Sequence, residues 1–168
     1  MLSLRAAQKG ATVKAIDVNP QMLEIAARRA RESGVLDKLK FCEMGAAELG
    51  GEEAESYDVV MSGLCFSELT ADELLYSLKQ IARILKPGGL LIAADVVVPR
   101  SLPKRFLHWL FAVPTIAVTY IITQTAITGV RDLPAKIENA GFEIESLRST
   151  KMGTFVELVA RKTEDRAK

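Results

Sequence analysis

Strand-like and helix-like segments alternate through the first 98 residues of the chain. Short segments of strand character occupy 12–17, 39–43, 57–62 and 90–98. Segments of helical periodicity separate most of these runs, and this order predicts a mostly parallel sheet with helices on its faces. The apolar character of 57–62 predicts a buried strand, and that of 90–98 predicts burial on both faces.

The sequence contains local signals for where helices begin and end. Asn19 suits an N-cap and Pro20 the first helical position, while Ser33-Gly34 suits the end of the same helix. Thr70-Ala71-Asp72-Glu73 predicts a capping box at the start of a second helix. Lys86-Pro87-Gly88-Gly89 predicts a sharp stop to that helix.

The last part of the chain predicts a hairpin. Residues 142–147 and 154–161 alternate in polarity, with Lys151-Met152-Gly153 between them as a turn. The expected fold is therefore α/β and Rossmann-like: a mostly parallel sheet with helices on both faces and a C-terminal antiparallel hairpin. At 168 residues the chain fits one domain, expected over 1–162, with a charged, frayed tail over 163–168.

Composition excludes several classes of protein. The hydrophobic fraction of 49% and charged fraction of 26% are those of a globular chain, and the net charge of +1 gives no general attraction to nucleic acid. Cys42 and Cys65 have neither metal-ligand spacing nor a disulfide framework, so we expect no metal and a reducing, cytoplasmic location.

One apolar stretch leaves three alternatives open. No Lys, Arg, Asp or Glu occurs within 106–130, and Lys104-Arg105 precedes the stretch. A helical lid over an apolar pocket is favoured, because such pockets are concave and mostly apolar. Peripheral contact of 104–128 with a membrane surface is the second reading. A transmembrane helix is the third, disfavoured by the polar content, by Pro114 and by the separation of the hairpin from its sheet.

An acidic residue ends the first strand. Asp17 closes Thr-Val-Lys-Ala-Ile-Asp, directly before the helix that Asn19-Pro20 opens. In nucleotide-binding α/β folds, an acid at such a strand tip holds the ribose hydroxyls of the ligand. The alternative role for Asp17 is to cap a turn.

Three blocks, in order, resemble the class I S-adenosylmethionine-dependent methyltransferases. They are Ala15-Ile16-Asp17-Val18-Asn19-Pro20-Gln21-Met22-Leu23, Tyr57-Asp58-Val59-Val60-Met61-Ser62 and Leu85-Lys86-Pro87-Gly88-Gly89-Leu90-Leu91. Ala140-Gly141-Phe142 before the hairpin is also typical of the family. The similarity spans 11–161 and is greatest to the small-molecule branch, which includes quinone methyltransferases.

The resemblance implies a cofactor and a set of site residues. The cofactor is S-adenosylmethionine, and the acceptor is a small, apolar, quinone-like molecule. Cofactor-binding residues are expected at Asp17, Val18, Met22, Ala46, Ala47 and Leu64, and pocket residues at Phe66, Glu68, His108, Trp109 and Tyr120. His108 is the candidate for proton transfer because its unperturbed pKa lies near neutrality, with a packed or interfacial histidine as the alternative.

The chain departs from the family pattern in two places. The glycine-rich first loop and its strand are not found before Leu2-Ser3-Leu4, and Ala46 stands where the family often has an aspartate. An N-terminally truncated enzyme is therefore expected, with a degenerate, non-catalytic module that binds a partner or a membrane as the alternative. Without a first strand, we expect direct pairing of 12–17 with 57–62, strand exchange in a homo-oligomer, or marginal stability.

Overall fold

The computed structural model describes residues 2–98, 129–150 and 152–163. This part of the chain forms two compact units, Met1–Gly51 and Glu52–Lys168. Each unit carries its own parallel pair of strands, and the second unit adds an antiparallel hairpin. The expected α/β class with parallel strands and a C-terminal antiparallel pair is confirmed. The expectation of one domain over 1–162 stays a prediction.

The first unit is a short βαβ arrangement. Its elements are α1 (Leu2–Gln8), β1 (Val13–Asp17), α2 (Pro20–Glu32) and β2 (Leu39–Glu43). β1 and β2 pair in parallel, from Val13 opposite Leu39 to Asp17 opposite Glu43. Asn19 is the N-cap of α2, as predicted, and its Oδ1 accepts from Gln21 N–H at 2.9 Å. The core of this unit centres on Ala7, Ala30 and Val35, with partly buried leucines and Phe41 packed against them.

The second unit is built on a four-stranded sheet in the order β3-β4-β6-β5. Its elements are β3 (Tyr57–Gly63), α3 (Ala71–Ile84), β4 (Leu85–Val96), α4 (Leu133–Asn139), β5 (Phe142–Ser149) and β6 (Phe155–Lys162). β3 and β4 are parallel, while β6 is antiparallel to both β4 and β5. Leu78, Leu91, Ile137 and Leu158 are nearly inaccessible to solvent, so this unit has a large aliphatic core.

Helix α3 begins and ends where the sequence predicts. Thr70 Oγ1 accepts from Glu73 N–H at 3.3 Å, and Glu73 Oε2 accepts from Thr70 N–H at 2.9 Å and from its hydroxyl at 2.7 Å. The capping box is therefore complete. The side-chain and then the backbone hydrogen bond from Thr70 hold the pKa of the Glu73 carboxyl below its ordinary value.

The turn at 86–89 lies where three strands, β3, β4 and β6, come together. β4 begins at Leu85, earlier than the expected residue 90, and the register shifts between Tyr57 and Val59. Gly88 has φ +71°, and a Cβ on Gly89 would lie 2.9 Å from the Lys86 carbonyl oxygen and 3.2 Å from that of Asp58. The backbones therefore approach too closely for a side chain at Gly89. β6 also reaches this turn, since Arg161 donates to the Gly88 carbonyl oxygen at 2.7 Å.

Two expectations about burial are corrected. β3 was expected to be a buried strand, but Asp58 and Val59 are exposed, Val59 by 41%. In the described chain β3 pairs only with β4, so it is an edge strand and its apolar residues are not all covered. β4 buries one face, while the residues between are half-buried rather than buried.

Three consequences were expected from the family comparison. Within the separate units, β1 pairs with β2 and β3 pairs with β4. Direct pairing of 12–17 with 57–62, strand exchange and marginal stability all stay predictions.

Candidate functional site

Asp17 lies at the carboxyl end of β1 and is half-buried. Its Oδ1 accepts from Asn19 N–H at 2.8 Å, which fixes the turn into α2. Its backbone carbonyl oxygen accepts from Met44 N–H at 3.2 Å, and this bond joins the carboxyl ends of β1 and β2. Asp17 therefore caps this turn through Oδ1, and its ribose role stays a prediction.

Apolar side chains lie near Asp17 in the sequence and are open to solvent. Val18 is 68% exposed and Met22 is 47% exposed, so both present apolar surface to solvent. Ala46 is half-buried and Ala47 is exposed in the helical turn Ala46–Gly51. Glu48 Oε1 accepts from Gly45 N–H at 2.8 Å and fixes the start of that turn. Five of the six predicted cofactor-binding residues therefore belong to the first unit.

The sixth predicted cofactor-binding residue, Leu64, lies in the second unit at the carboxyl end of β3. It is 52% exposed and has φ +60°, a left-handed conformation that is uncommon for a leucine. Of the two predicted pocket residues nearby, Phe66 is buried and Glu68 is exposed. Their side chains therefore meet different surroundings within one helical turn, Phe66–Glu68.

Asp95 is a residue that sequence reasoning missed. It lies in β4, is 0% exposed, and its Oδ2 accepts from Phe66 N–H at 2.8 Å. The available sign was an acid within the longest apolar strand of the sequence, Leu90 to Val98. A charged side chain is almost never buried without partners, so an acid in such a run marks a position with a specific role.

Three predicted pocket residues, His108, Trp109 and Tyr120, lie outside the described residues, as does 104–128. The described end of the expected 106–130 insert is Gly129-Val130. Val130 N–H donates to the Val96 carbonyl oxygen at 2.9 Å, and Val98 N–H donates to the Val130 carbonyl oxygen at 3.1 Å. The chain therefore returns as a parallel bridge beside the end of β4, and the helical lid expected over 106–130 stays a prediction.

Within residues 2–98, 129–150 and 152–163, no helix combines the length and the apolar character needed to cross a membrane.

Comparison with known sequences defines the class. Residues 1–89, just over half of the chain, match the profile of a family described as a methyltransferase domain. The chain is 31% identical over 160 residues to the ubiquinone/menaquinone biosynthesis C-methyltransferase of Brucella anthropi, covering 87% of this chain and 59% of that protein. The corresponding enzyme of Brucella abortus strain S19 is 30% identical over 160 residues, and the match covers 58% of that protein. The chain thus spans somewhat over half the length of these curated relatives.

Solved structures show the same fold. A SAM-dependent methyltransferase from Methanosarcina mazei superposes with a TM-score of 0.72 at 21% identity, covering 97% of this chain and 87% of that one. The 1,6-didemethyltoxoflavin-N1-methyltransferase of Burkholderia thailandensis, solved with S-adenosylhomocysteine, gives a TM-score of 0.65 at 17% identity over 94% of this chain and 64% of that one. The chain belongs to the methyltransferase domain family, so the resemblance to methyltransferases is confirmed.

Proposed function

We propose that this chain binds S-adenosylmethionine and transfers its methyl group to a small, apolar, quinone-like ring. The observation that carries the proposal is Asp17: a half-buried carboxylate at the carboxyl end of a parallel strand, with Oδ1 fixed by Asn19 N–H. Ligands of open α/β sheets bind at this end of the strands. The quinone-like acceptor is supported by the name of the Brucella relatives.

The residues around Asp17 fit the adenosine part of such a cofactor. A carboxylate accepts charge-assisted hydrogen bonds, which are shorter and stronger than neutral ones, so Asp17 Oδ2 is suited to the ribose hydroxyls. Val18 and Met22 expose apolar surface beside it, which suits a flat heterocycle. Ala46 and Ala47 offer small side chains and backbone groups in the turn that follows β2. Leu64, the sixth predicted cofactor-binding residue, belongs to the second unit, and its role at the cofactor stays a prediction.

The chemistry places requirements on the remaining residues. S-adenosylmethionine supplies a methyl group on a positively charged sulfur, and that charge disappears as the methyl moves. An apolar surrounding that excludes water therefore favours transfer, and alignment of the acceptor atom supplies much of the rate. Phe66, Glu68, His108, Trp109 and Tyr120 are proposed to line the acceptor pocket. The apolar stretch 106–130 is proposed to cover the acceptor, or 104–128 to contact the membrane surface that carries it.

Calorimetric titration with S-adenosylmethionine tests the proposal. We expect saturable binding to the wild-type chain, and an affinity roughly tenfold or more weaker for Asp17→Ala, because hydrogen bonds to a charged group are lost. Asp37→Ala is the matched control, since Asp37 is an exposed acid of the same unit and its loss should leave binding unchanged. Transfer of tritiated methyl to a reduced prenylated naphthoquinone then tests the acceptor class.

The titration also separates the alternative function. A folded wild-type chain that releases no heat with millimolar cofactor would refute the enzyme reading. It would support a non-catalytic module of the same fold that binds a partner or a membrane surface. Equal binding by wild type and Asp17→Ala would instead leave cofactor use standing and refute the ribose role of Asp17.

A further inference from the structure

A carboxylate occupies a core position in β4. Alternate residues of this strand, Leu91, Ala93 and Asp95, form its buried face, with 0%, 1% and 0% exposure. An aliphatic residue would satisfy the packing at position 95, whereas a buried carboxylate is costly unless hydrogen bonds replace its water. The position of Asp95 therefore requires an explanation beyond the formation of the core.

The hydrogen bonds of Asp95 supply that explanation. Oδ1 accepts from Val96 N–H at 2.7 Å, which is local. Oδ2 accepts from Phe66 N–H at 2.8 Å, across 29 positions of sequence. Phe66 is the first residue of the helical turn Phe66–Glu68, whose N-cap residue Cys65 makes no side-chain capping bond. The first N–H groups of a helical turn lack partners within it, so Asp95 caps this turn from a neighbouring strand.

The capped turn lies next to a strained residue. Leu64 has φ +60° and is 52% exposed, although a leucine avoids the left-handed region and is usually buried. Its N–H donates to the Ala94 carbonyl oxygen at 2.9 Å, one residue before Asp95. The segment 63–66 is therefore attached to β4 at two consecutive residues, and these attachments hold the strained conformation. Strain maintained in this way is typical of binding sites.

The strained leucine lies at the end of the sheet where ligands bind. β3 and β4 are parallel, and Gly63 opposite Ala94 ends their ladder. The carboxyl ends of such strands face the ligand crevice of open α/β folds. We infer that Asp95 is a positioning residue: by capping the turn at Phe66, it presents the exposed Leu64 side chain to an apolar ring of the methyl acceptor, rather than to the cofactor as the sequence led us to expect. This inference rests on the proposed function and deepens it.

Two variants test the inference. Asp95→Asn keeps the size of the side chain but turns one of the two acceptors into a donor. Asp95→Leu removes both acceptors and retains an apolar side chain that suits the core face, so at least one variant should fold. Asp58→Asn is the matched control, because Asp58 belongs to the same strand as Gly63 but is exposed and paired with Lys86 at 2.7 Å.

The first measurement needs no cofactor and no acceptor. Amide hydrogen exchange at Phe66 should be about tenfold or more faster in Asp95→Leu, because a hydrogen bond to a charged acceptor is lost. Exchange in the β4–β6 ladder should keep its wild-type rate, and Asp58→Asn should match wild type throughout. Unchanged protection of Phe66 would overturn the inference, as would equal acceleration across the whole sheet.

The second measurement follows the acceptor directly. A short-chain prenylated naphthoquinol, kept reduced under nitrogen, is titrated while the methyl resonances of Leu64 are recorded. Saturable shifts are expected in wild type and Asp58→Asn, with an apparent Kd roughly tenfold higher in the Asp95 variants and the Kd for S-adenosylmethionine within about twofold of wild type. No shift at Leu64 in wild type, or equal affinity in every variant, would overturn the inference. Absence of S-adenosylmethionine binding in wild type would refute the proposed function separately.

Discussion

β1 and β4 both belong to parallel ladders, yet they differ in burial. All five residues of β1 are half-buried, whereas Leu91, Ala93 and Asp95 of β4 are at most 1% exposed. Within its own unit β1 has one neighbour, β2, while β4 lies between β3 and β6. A pair of strands cannot form an independent core as three or more strands can, so the greater number of neighbours favours the burial of β4.

The two cores differ in the same way. The fully buried residues of the first unit are small, Ala7 and Ala30, while those of the second include Phe66, Leu74 and Leu91. Because burial of apolar area supplies most of the stability, we expect the first unit to open at a lower free energy than the second. Native proteins commonly open in such separate steps.

Core truncation should give the largest contrast. Leu78→Ala removes a side chain that is 0% exposed and should lower the opening free energy of the second unit by about 2–5 kcal/mol. Leu39→Ala, at a partly buried position of the first unit, should cost less than about half as much. Native-state hydrogen exchange, read at the β4 and β1 amides, measures each unit by itself.

These two variants test whether the units differ in stability. Equal losses of opening free energy for Leu78→Ala and Leu39→Ala would show that they do not. Leu75→Ala is the control within α3, since Leu75 is 43% exposed and should change stability by no more than about 0.5 kcal/mol.

Two glycines should give the next largest contrast. A Cβ on Gly89 meets backbone oxygens at 2.9 and 3.2 Å, whereas one on Gly45 meets the Val18 Cγ1 atom at 3.2 Å. Backbone cannot move aside but an exposed side chain can, so Gly89→Ala should cost about 1–3 kcal/mol and Gly45→Ala less than about 1 kcal/mol. Urea unfolding followed by circular dichroism measures both. Gly51→Ala, with nothing within 4 Å of its Cβ, should be neutral, and a large loss there would show that the steric reading is wrong.

Helix caps should give a smaller contrast. Thr70→Ala removes a reciprocal capping box and should cost about 1–2 kcal/mol, while Asn19→Ala removes one bond to Gln21 N–H and should cost about 0.5–1 kcal/mol. Thermal unfolding compares the two variants, with Ala71→Ser as a control at a neighbouring exposed position. A larger loss for Asn19→Ala would contradict the expected advantage of a reciprocal capping box over a single capping bond.

The pH dependence of the cap should be the smallest effect. Hydrogen bonds from Thr70 hold the pKa of Glu73 below its ordinary value of 4.5 in the folded chain. The ionised carboxylate therefore stabilises the fold at pH values above 4.5, and this contribution is lost as the pH falls through the lowered pKa. Wild type should exceed Glu73→Gln in stability near neutral pH, and the difference should disappear in acid. A difference that is independent of pH would refute this assignment.

Local features of the fold were predictable to within a residue or two. The N-caps at Asn19 and Thr70, the end of α2 at Ser33 and the hairpin turn closed by Gly153 N–H to the Thr150 carbonyl oxygen all follow the sequence. Each depends on residues within four positions of one another, so it can be recognised from the sequence alone. The family and its α/β class were also predictable, because the strand-end blocks keep their order and spacing.

The candidate site was predictable only in part. Asp17 lies at the carboxyl end of β1 as expected, and its ribose role stays a prediction, as do the roles of Val18, Met22 and Leu64. Asp95 was missed because its partner Phe66 is 29 positions away. The exposure of Val59 was missed because the apolar composition of a strand does not show which other strands will pair with it.

By itself the sequence determined where helices start and stop, which segments are strands, and that an acid follows β1. Those outcomes depend on backbone propensity and on hydrogen bonds between near neighbours. Only the tertiary structure decided that Asp95 is buried and caps a distant turn, that Leu64 is held exposed and strained, and that β1 is half-covered while one face of β4 is buried. Such outcomes depend on which distant segments meet, and pairing between distant strands is set by the packing of the whole unit.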